Sequence, residues 1–249
     1  MPRLTSITIT KNEAAQIGDC LDSLAFCDER VVVDSGSSDD TVRIAREKGA
    51  RVAVHEWRGF GPQRNFALTM VDADWVLWVD ADEAVSPELA TSILRAIDSG
   101  TADGYRMARR SRFCSRPMLH SGWHPDTVLR LFRRGKGRWT DAQVHEHAVV
   151  EGRVETLSGF LLHEPVERLE DALEKMDRYS TLGAQEIIAS GRKVWFATGI
   201  FRGLFAFLRT YILRAGFLDG REGFLLAVAN AEGTYYRFMK AWLATRRRR

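Results

Sequence analysis

The run Trp75-Val76-Leu77-Trp78-Val79 is apolar at every position and stops at once in Asp80-Ala81-Asp82-Glu83. An uninterrupted apolar stretch of this length reads as a strand buried on both faces, so helices must cover the sheet above and below. The preceding segments agree with that demand. Ser6-Ile7-Thr8-Ile9-Thr10 alternates as a strand does, and Ile17, Cys20, Leu21 and Leu24 then recur at helical spacing. Val31-Val32-Val33 reads as a second buried strand, running into Asp34-Ser35-Gly36-Ser37-Ser38-Asp39-Asp40, whose residues supply turn geometry and a helix cap. A helix from about Thr41 to Lys48 stops at Gly49, Arg51 to Val54 forms a third strand, and beyond Gly59 and Gly61 a short helix from about Pro62 carries Arg64, Asn65 and Leu68.

Ser86-Pro87 opens the next helix, with serine as cap and proline at the first helical position, where its missing N–H costs nothing. Strands alternating with helices predict an α/β protein with a mainly parallel sheet covered on both faces. Ligands of such sheets sit beyond the carboxyl ends of the strands. The acidic clusters at Asp34 and Asp80 both fall at such ends.

Past about Gly104 the pattern shortens to β-like pieces, Tyr105 to Ala108, Val128 to Phe132, Val144 to Val150 and Phe160 to His163. They suit a mixed extension of the sheet that builds the second wall of a cleft. From about Leu169 the pattern is helical, and a boundary is expected near Pro165.

Two carboxylates one residue apart at a buried strand end repel each other, and a cation or a proton must relieve the repulsion. Mg2+ or Mn2+ suits oxygen ligands of this kind and bridges readily to a diphosphate. An acidic turn that caps the helix near Pro87 is the plain alternative. With 45% hydrophobic and 28% charged residues, the 249-residue chain is an ordinary globular protein, with room for one α/β domain and a helical appendage.

Four segments in order, SITITKNEA, VVVDSGSSDDT, GFGPQRNFAL and WVLWVDADE, resemble the nucleotide-binding half of the family 2 glycosyltransferases of GT-A fold. The resemblance implies that Thr10, Asn12 and Glu13 line the uracil and ribose of a UDP-sugar donor, and that Asp34 accepts a hydrogen bond from the base. It implies that Arg64, with Asn65 beside it, folds over the diphosphate. Asp80 would face ribose and metal, and Asp82 would ligate the metal directly. Simpler roles exist for each of these: a helix cap for Asn12, an Asx turn for Asp34, a surface position for Arg64.

The later stretches HPDTVLRLFRR and WTDAQVHEHAVVEG resemble the acceptor side of a subgroup of these enzymes that builds lipopolysaccharide cores. An inverting transfer needs a carboxylate to take the acceptor's proton, and Asp126, Asp141 and Glu146 are the candidates. The resemblance puts Glu146 first and Asp126 next. His163 is a third metal ligand, a diphosphate contact or a hydrogen-bonded structural histidine. The expected organisation is a nucleotide-sugar-binding half over 1–104, an acceptor-binding half over 105–165 and a helical, membrane-associating region over 166–249. The expected reaction is transfer of a hexose, glucose on the closest pattern, from UDP to a lipid-linked saccharide such as a lipopolysaccharide inner core.

Other classes fit less well. No glycine-rich basic loop follows the first strand, as nucleotidyltransfer would need, and no G-x-G-x-x-G supports a dinucleotide cofactor. Cys20, Cys27 and Cys114 have neither disulfide nor zinc spacing, and the amino terminus enters the first strand without an export signal, so a cytoplasmic setting is expected. From Arg192 onward twelve Lys/Arg face three Asp/Glu, a balance of +9 that leaves −6 for the rest of a chain of net charge +3. Val194 to Leu218 is apolar but interrupted by Arg202, Arg209 and Arg214, so no run of about 20 apolar residues spans a bilayer. Phe201, Phe205 and Leu208 form a stripe suited to the surface of an anionic membrane, or to packing on the domain. No nucleic acid is expected as a partner, since that reading leaves the acidic strand ends unexplained.

Overall fold

The computed structural model describes residues 2–140, 147–166 and 168–246. The chain divides into two compact units, Met1–Arg109 with Asp126–His163, and Arg110–Pro125 with Glu164–Arg249. This division is not contiguous in sequence: the second unit takes both the carboxyl-terminal helices and the short segment 110–125.

In the first unit β1 (Leu4–Thr10), β2 (Glu29–Asp34), β3 (Arg51–Val54) and β4 (Trp75–Trp78) are parallel neighbours in the order β3-β2-β1-β4. The helices α1 (Ile17–Ser23), α2 (Thr41–Glu47) and α3 (Phe60–Thr69) connect them. β4 is central and alternates its contacts: Trp75, Leu77 and Val79 enter one core cluster, while Val76 and Trp78 enter the cluster on the opposite face. That two-sided burial is why its sequence has no polar alternation. Truncating Trp75 or Trp78 to alanine would cost about 3–5 kcal/mol, as for large core aromatics generally.

Beyond β4 the sheet turns antiparallel. β5 (Glu83–Val85) is followed by α4 (Pro87–Ser99), where the Ser86 hydroxyl accepts from Leu89 N at 3.2 Å and Gly100, at φ 62°, ends the helix in the left-handed region that favours glycine. β6 (Gly104–Phe113), β7 (Arg116–Pro117), β8 (Thr127–Arg133) and β11 (Val154–Val166) complete a sheet of order β3-β2-β1-β4-β8-β6-β11-β5, with β7 on β6. This is the GT-A type arrangement expected, a parallel nucleotide-side sheet with a mixed extension.

Three elements differ from the sequence expectation. β6 and β11 are both longer than their apolar cores; in β6 the arginines that break the alternation are satisfied by partners, Arg109 by Glu83 and Asp126, Arg112 by Glu164. Residues 148–150 do not join the main sheet. Among the described residues they form β10 (Ala148–Val150), which pairs with β9 (Gly137–Trp139) in a separate two-stranded ribbon.

The second unit is built on α5 (Leu169–Ala189), α6 (Phe196–Leu208) and α7 (Gly220–Arg246), with a π turn at Arg209–Leu213 and a 3-10 turn at Gly216–Asp219 before α7.

Candidate active site

Parallel register brings the carboxyl ends of β1 and β2 level, with Thr10 opposite Asp34. Thr10 is buried, and its hydroxyl has no hydrogen-bond partner among the described residues. Asp34 closes an Asx turn: its carboxylate accepts from Gly36 N at 2.9 Å and Ser37 N at 2.8 Å, and from the Ser37 hydroxyl. Asn12 does not cap α1, which starts at Ile17 behind Gln16. It lies at φ 56°, and its side-chain oxygen accepts from Ser38 N at 2.8 Å, so it stitches the β1 loop to the β2 loop. Glu13 adds a second stitch, donating its backbone N–H to the Thr41 hydroxyl at 2.8 Å.

Gln63 was not singled out in the sequence, yet it is fully buried here. Its Nε2 donates to the Ser35 hydroxyl at 3.1 Å and its Oε1 meets His55 Nδ1 at 2.8 Å, while the His55 ring stacks on Phe66 at 3.7 Å. The first turn of α3 is thereby locked to the ends of β2 and β3. Its neighbour Arg64 is consequently buried, not a surface arginine.

At the end of β4 the charges collect. Arg64 Nη2 donates to Asp80 Oδ1 at 2.8 Å, and Arg130, from β8, pairs with Asp80 Oδ2. Burial alone would push the Asp80 carboxyl up, but the charges of Arg130 and Arg64 outweigh it and hold the group well below the usual carboxylate range. Glu83, wholly buried, accepts from Asp80 N at 3.0 Å and meets Arg130 at 3.4 Å and Arg109 at 3.3 Å. Burial is the main cause of its raised pKa, against the pull of Arg130 and with the repulsion of Asp80. Arg109 in turn donates to Asp126 Oδ2 at 2.7 Å. Three guanidiniums and three carboxylates form one chain across the strand ends.

An aromatic floor supports it. The Arg64 guanidinium lies 3.9 Å over the Trp139 ring, and Trp139 meets Trp78 edge-on at 5.3 Å. Asn65 holds Trp139 there: its Nδ2 donates to Trp139 O and its Oδ1 accepts from Trp139 N, each at 3.1 Å. The amide that was read as a nucleotide contact is engaged with the β9 main chain.

Asp82 stands apart from the arginines and faces His163, with Nε2 and Oδ2 3.4 Å apart. Antiparallel pairing of β11 with β5 sets this up by placing His163 opposite Glu83. β11 reaches that register because it passes close over α4 at Gly159, φ 94°, where a Cβ would sit 2.4 Å from Leu89 N. Of the three residues expected to hold a metal, Asp82 and His163 therefore converge, while both oxygens of Asp80 are occupied by guanidiniums. A carboxylate oxygen and an imidazole nitrogen 3.4 Å apart are ligand types that a divalent cation accepts, but no third such side chain joins them among the described residues, so its remaining ligands would have to come from a bound diphosphate or solvent. Glu146 and Asp141 lie outside the described residues. Asp126 is placed at the site's edge, held by Arg109.

A mixed α/β sheet of this order, with carboxylates and buried arginines gathered at the ends of its parallel strands, defines a GT-A type nucleotide-sugar fold. The chain belongs to glycosyl transferase family 2, whose model matches residues 5–149. It is 36% identical, over 96% of its length and 90% of the relative's, to the lipopolysaccharide core biosynthesis glycosyltransferase LpsC of Rhizobium meliloti. An uncharacterized glycosyltransferase of Rickettsia prowazekii is 29% identical over 96% of this chain and 87% of its own. Among solved structures, S. aureus TarS superposes over 86% of this chain and 45% of its own, at TM-score 0.47 and 18% identity.

Proposed function

We propose that this glycosyltransferase moves a hexose, glucose in the first instance, from UDP to a lipid-linked saccharide of the lipopolysaccharide inner-core type, at the cytoplasmic face of the inner membrane. The observation that carries the donor half is the pair Asp82 and His163 beside the Asp80–Arg64–Arg130 cluster. The likeness to the Rhizobium meliloti protein supports the acceptor half.

In this reading the unpartnered Thr10 hydroxyl and the Asn12–Asp34 loops receive the nucleoside. Arg64 and Arg130, fixed in place by Asp80 and the Trp139 ring, present positive charge to the diphosphate. Asp82 and His163 hold Mg2+ or Mn2+, which when bound neutralises charge on the departing diphosphate. The acceptor hydroxyl attacks the anomeric carbon opposite the leaving group as Glu146, or else Asp126, takes its proton. Asp126 is oriented by Arg109, which donates to its Oδ2 at 2.7 Å, and this suits either a base or an acceptor contact.

The test pairs two measurements. The purified protein should release UDP from UDP-glucose when Mg2+ or Mn2+ and core lipid are supplied. Cells lacking it should carry core glycans short by one hexose in mass spectrometry. Unchanged glycans together with no UDP release from any common UDP-sugar would sink the proposal.

A further inference from the structure

The helix α6 is packed inside out. Its buried residues are Gly199, Gly203 and Ala206, and its large apolar residues face outward, Phe201 at 69% exposure and Leu204 and Phe205 above half. A helix covered by water does the reverse, since burying large apolar side chains is what holds it to the domain. The small stripe lies directly on α7. A Cβ on Gly199 would sit 2.4 Å from Met239 Cε, and one on Gly203 would sit 3.1 Å from Tyr235 Cβ and 3.2 Å from Ala231 O. Small residues between close-packed helices with large apolar residues turned outward are the arrangement used where the surroundings are lipid.

The apolar surface does not end with α6. Trp195 before it is 74% exposed, and beyond it Ile212, Leu213 at 70%, Phe217 and Leu218 continue the patch across the π and 3-10 turns. That tip is rigid. The buried Asp219 accepts from Leu119 N at 3.0 Å, His120 N at 3.1 Å and the Ser121 hydroxyl at 2.7 Å, and Ser121 N donates to Arg214 O at 2.9 Å. A surface fixed in this way loses little conformational entropy on binding.

Charge identifies what covers it. At one end of the patch a groove of about 380 Å³ is lined by Arg192, Lys193 and Arg246 together with Trp195 and Trp242. Cationic side chains beside the exposed Trp195 and the half-buried Trp242 match the headgroup layer of an anionic bilayer. The segment Phe196–Leu213 meets the length and mean hydropathy, 1.3, of a membrane-crossing helix. Arg202 and Arg209 lie inside it, and each would cost about 2.5–3.5 kcal/mol at a bilayer centre. Lying flat, it keeps its apolar face in lipid and leaves its glycine face on α7.

We infer that the outward face of α6 and the Ile212–Leu218 tip bed in the surface of an anionic phospholipid bilayer, with the Arg192–Lys193–Arg246 groove taking a lipid phosphate. This deepens the lipid-linked acceptor reading by giving the enzyme its docking surface.

The experiment is flotation of the full chain with phosphatidylcholine vesicles, with and without phosphatidylglycerol, reading UDP release on the same samples. The wild-type chain should float with the anionic vesicles, and less so in high salt. Phe201→Glu with Leu213→Glu should lower recovery at least about tenfold, since each change removes an exposed lipid contact and adds a repelled charge. Both positions are exposed, so the melting temperature, and UDP release from UDP-glucose with core lipid supplied but no vesicles, should stay as in the wild type. Arg192→Glu with Lys193→Glu should abolish the preference for phosphatidylglycerol.

Three results would overturn the inference: a wild-type chain that stays soluble with both vesicles, a dimer that Phe201→Glu dissociates, or loss of flotation to inorganic phosphate at matched phosphate concentration. They leave the reaction itself untouched, because UDP release is scored separately and would fail alone if the donor reading were wrong.

Discussion

Asn65 and Trp139 exchange two hydrogen bonds at 3.1 Å, one in each direction, so a side-chain amide from α3 serves as a strand partner for the main chain of β9. The consequence is electrostatic, because Trp139 is the ring on which the Arg64 guanidinium rests at 3.9 Å. Asn65→Ala would release β9 and leave its amide and carbonyl without these partners, at a cost of about 1–3 kcal/mol. Arg64 would lose its floor. The expected outcome is a lower melting temperature with a higher KM for the donor and a smaller change in kcat. An unchanged donor KM in the destabilised variant would separate Trp139 from donor binding.

Asp80 and Asp82 should behave differently although they are two residues apart. Asp80→Asn takes the Asp80 carboxylate from buried Arg64 and leaves buried Arg130 with Glu83 at 3.4 Å, and the loss should be about 3 kcal/mol, the low end for breaking a buried pair, because Asp80 is itself partly exposed. Among the described residues Asp82 pairs with His163, and Asp82→Asn removes the charge from that pair. It should fold as stably as the wild type yet lose Mn2+ binding in the presence of UDP, as His163→Ala should. Denaturant titration and manganese electron paramagnetic resonance read the two effects separately.

The pairing of Asp80 has a pH signature. Its folded-state pKa is depressed, chiefly by Arg130 and Arg64 against burial, so the stability it contributes is fully present above the unfolded value of about 3.9 and is lost as pH falls towards the folded value. The stability gap between wild type and Asp80→Asn should therefore be constant at neutral pH and narrow below about pH 4. A gap that persists undiminished to pH 2 would show that packing, not charge, sets the cost. Glu83 has the opposite sign, its pKa being raised by burial and by the charge of Asp80, so it favours folding at lower pH, and Asp80→Asn removes the Asp80 part of that shift as well.

For the base, Glu146→Gln should spare donor binding while slowing transfer by roughly 10²-fold or more, the usual effect of losing a general base. Asp126→Asn should disturb Arg109, whose Nε it accepts at 2.7 Å, and raise the acceptor KM. Wild-type transfer by Glu146→Gln alongside a large kcat loss in Asp126→Asn would move the base to Asp126. Calorimetry with UDP keeps the two roles distinct.

Burial should silence two thiols. The Cys27 thiol is pushed up to about 12 by burial, and Cys20, more buried still, is raised further. Cys114 is half-buried and also raised. Alkylation of the native chain at pH 8 should mark Cys114 alone, and slowly, because the thiolate is the reactive form. Marking of all three should require denaturant, with peptide mass spectrometry as the readout.

The parallel half of the fold was legible because each of its elements announces itself locally. The unbroken run Trp75 to Val79 could only be a strand buried on both faces, and Ser86-Pro87 could only open a helix. Local turn chemistry likewise offers a helix cap for Asn12 and an Asx turn for Asp34, without disclosing which partner each takes. The structure gives Asn12 to Ser38 rather than to α1.

What the sequence alone determined about this protein is therefore its family, its sheet and the strand ends at which charge would gather. Tertiary structure decided which charges meet. Arg130 reaches Asp80, and His163 reaches Asp82, only because β8 and β11 return antiparallel through registers that sequence spacing does not encode. The same holds for α6, whose apolar stripe reads identically whether it faces a core or solvent. The glycine face on α7 settles it, because two backbones can approach so closely only where no side chain intervenes, and that turns Phe201, Leu204, Phe205 and Leu208 outward.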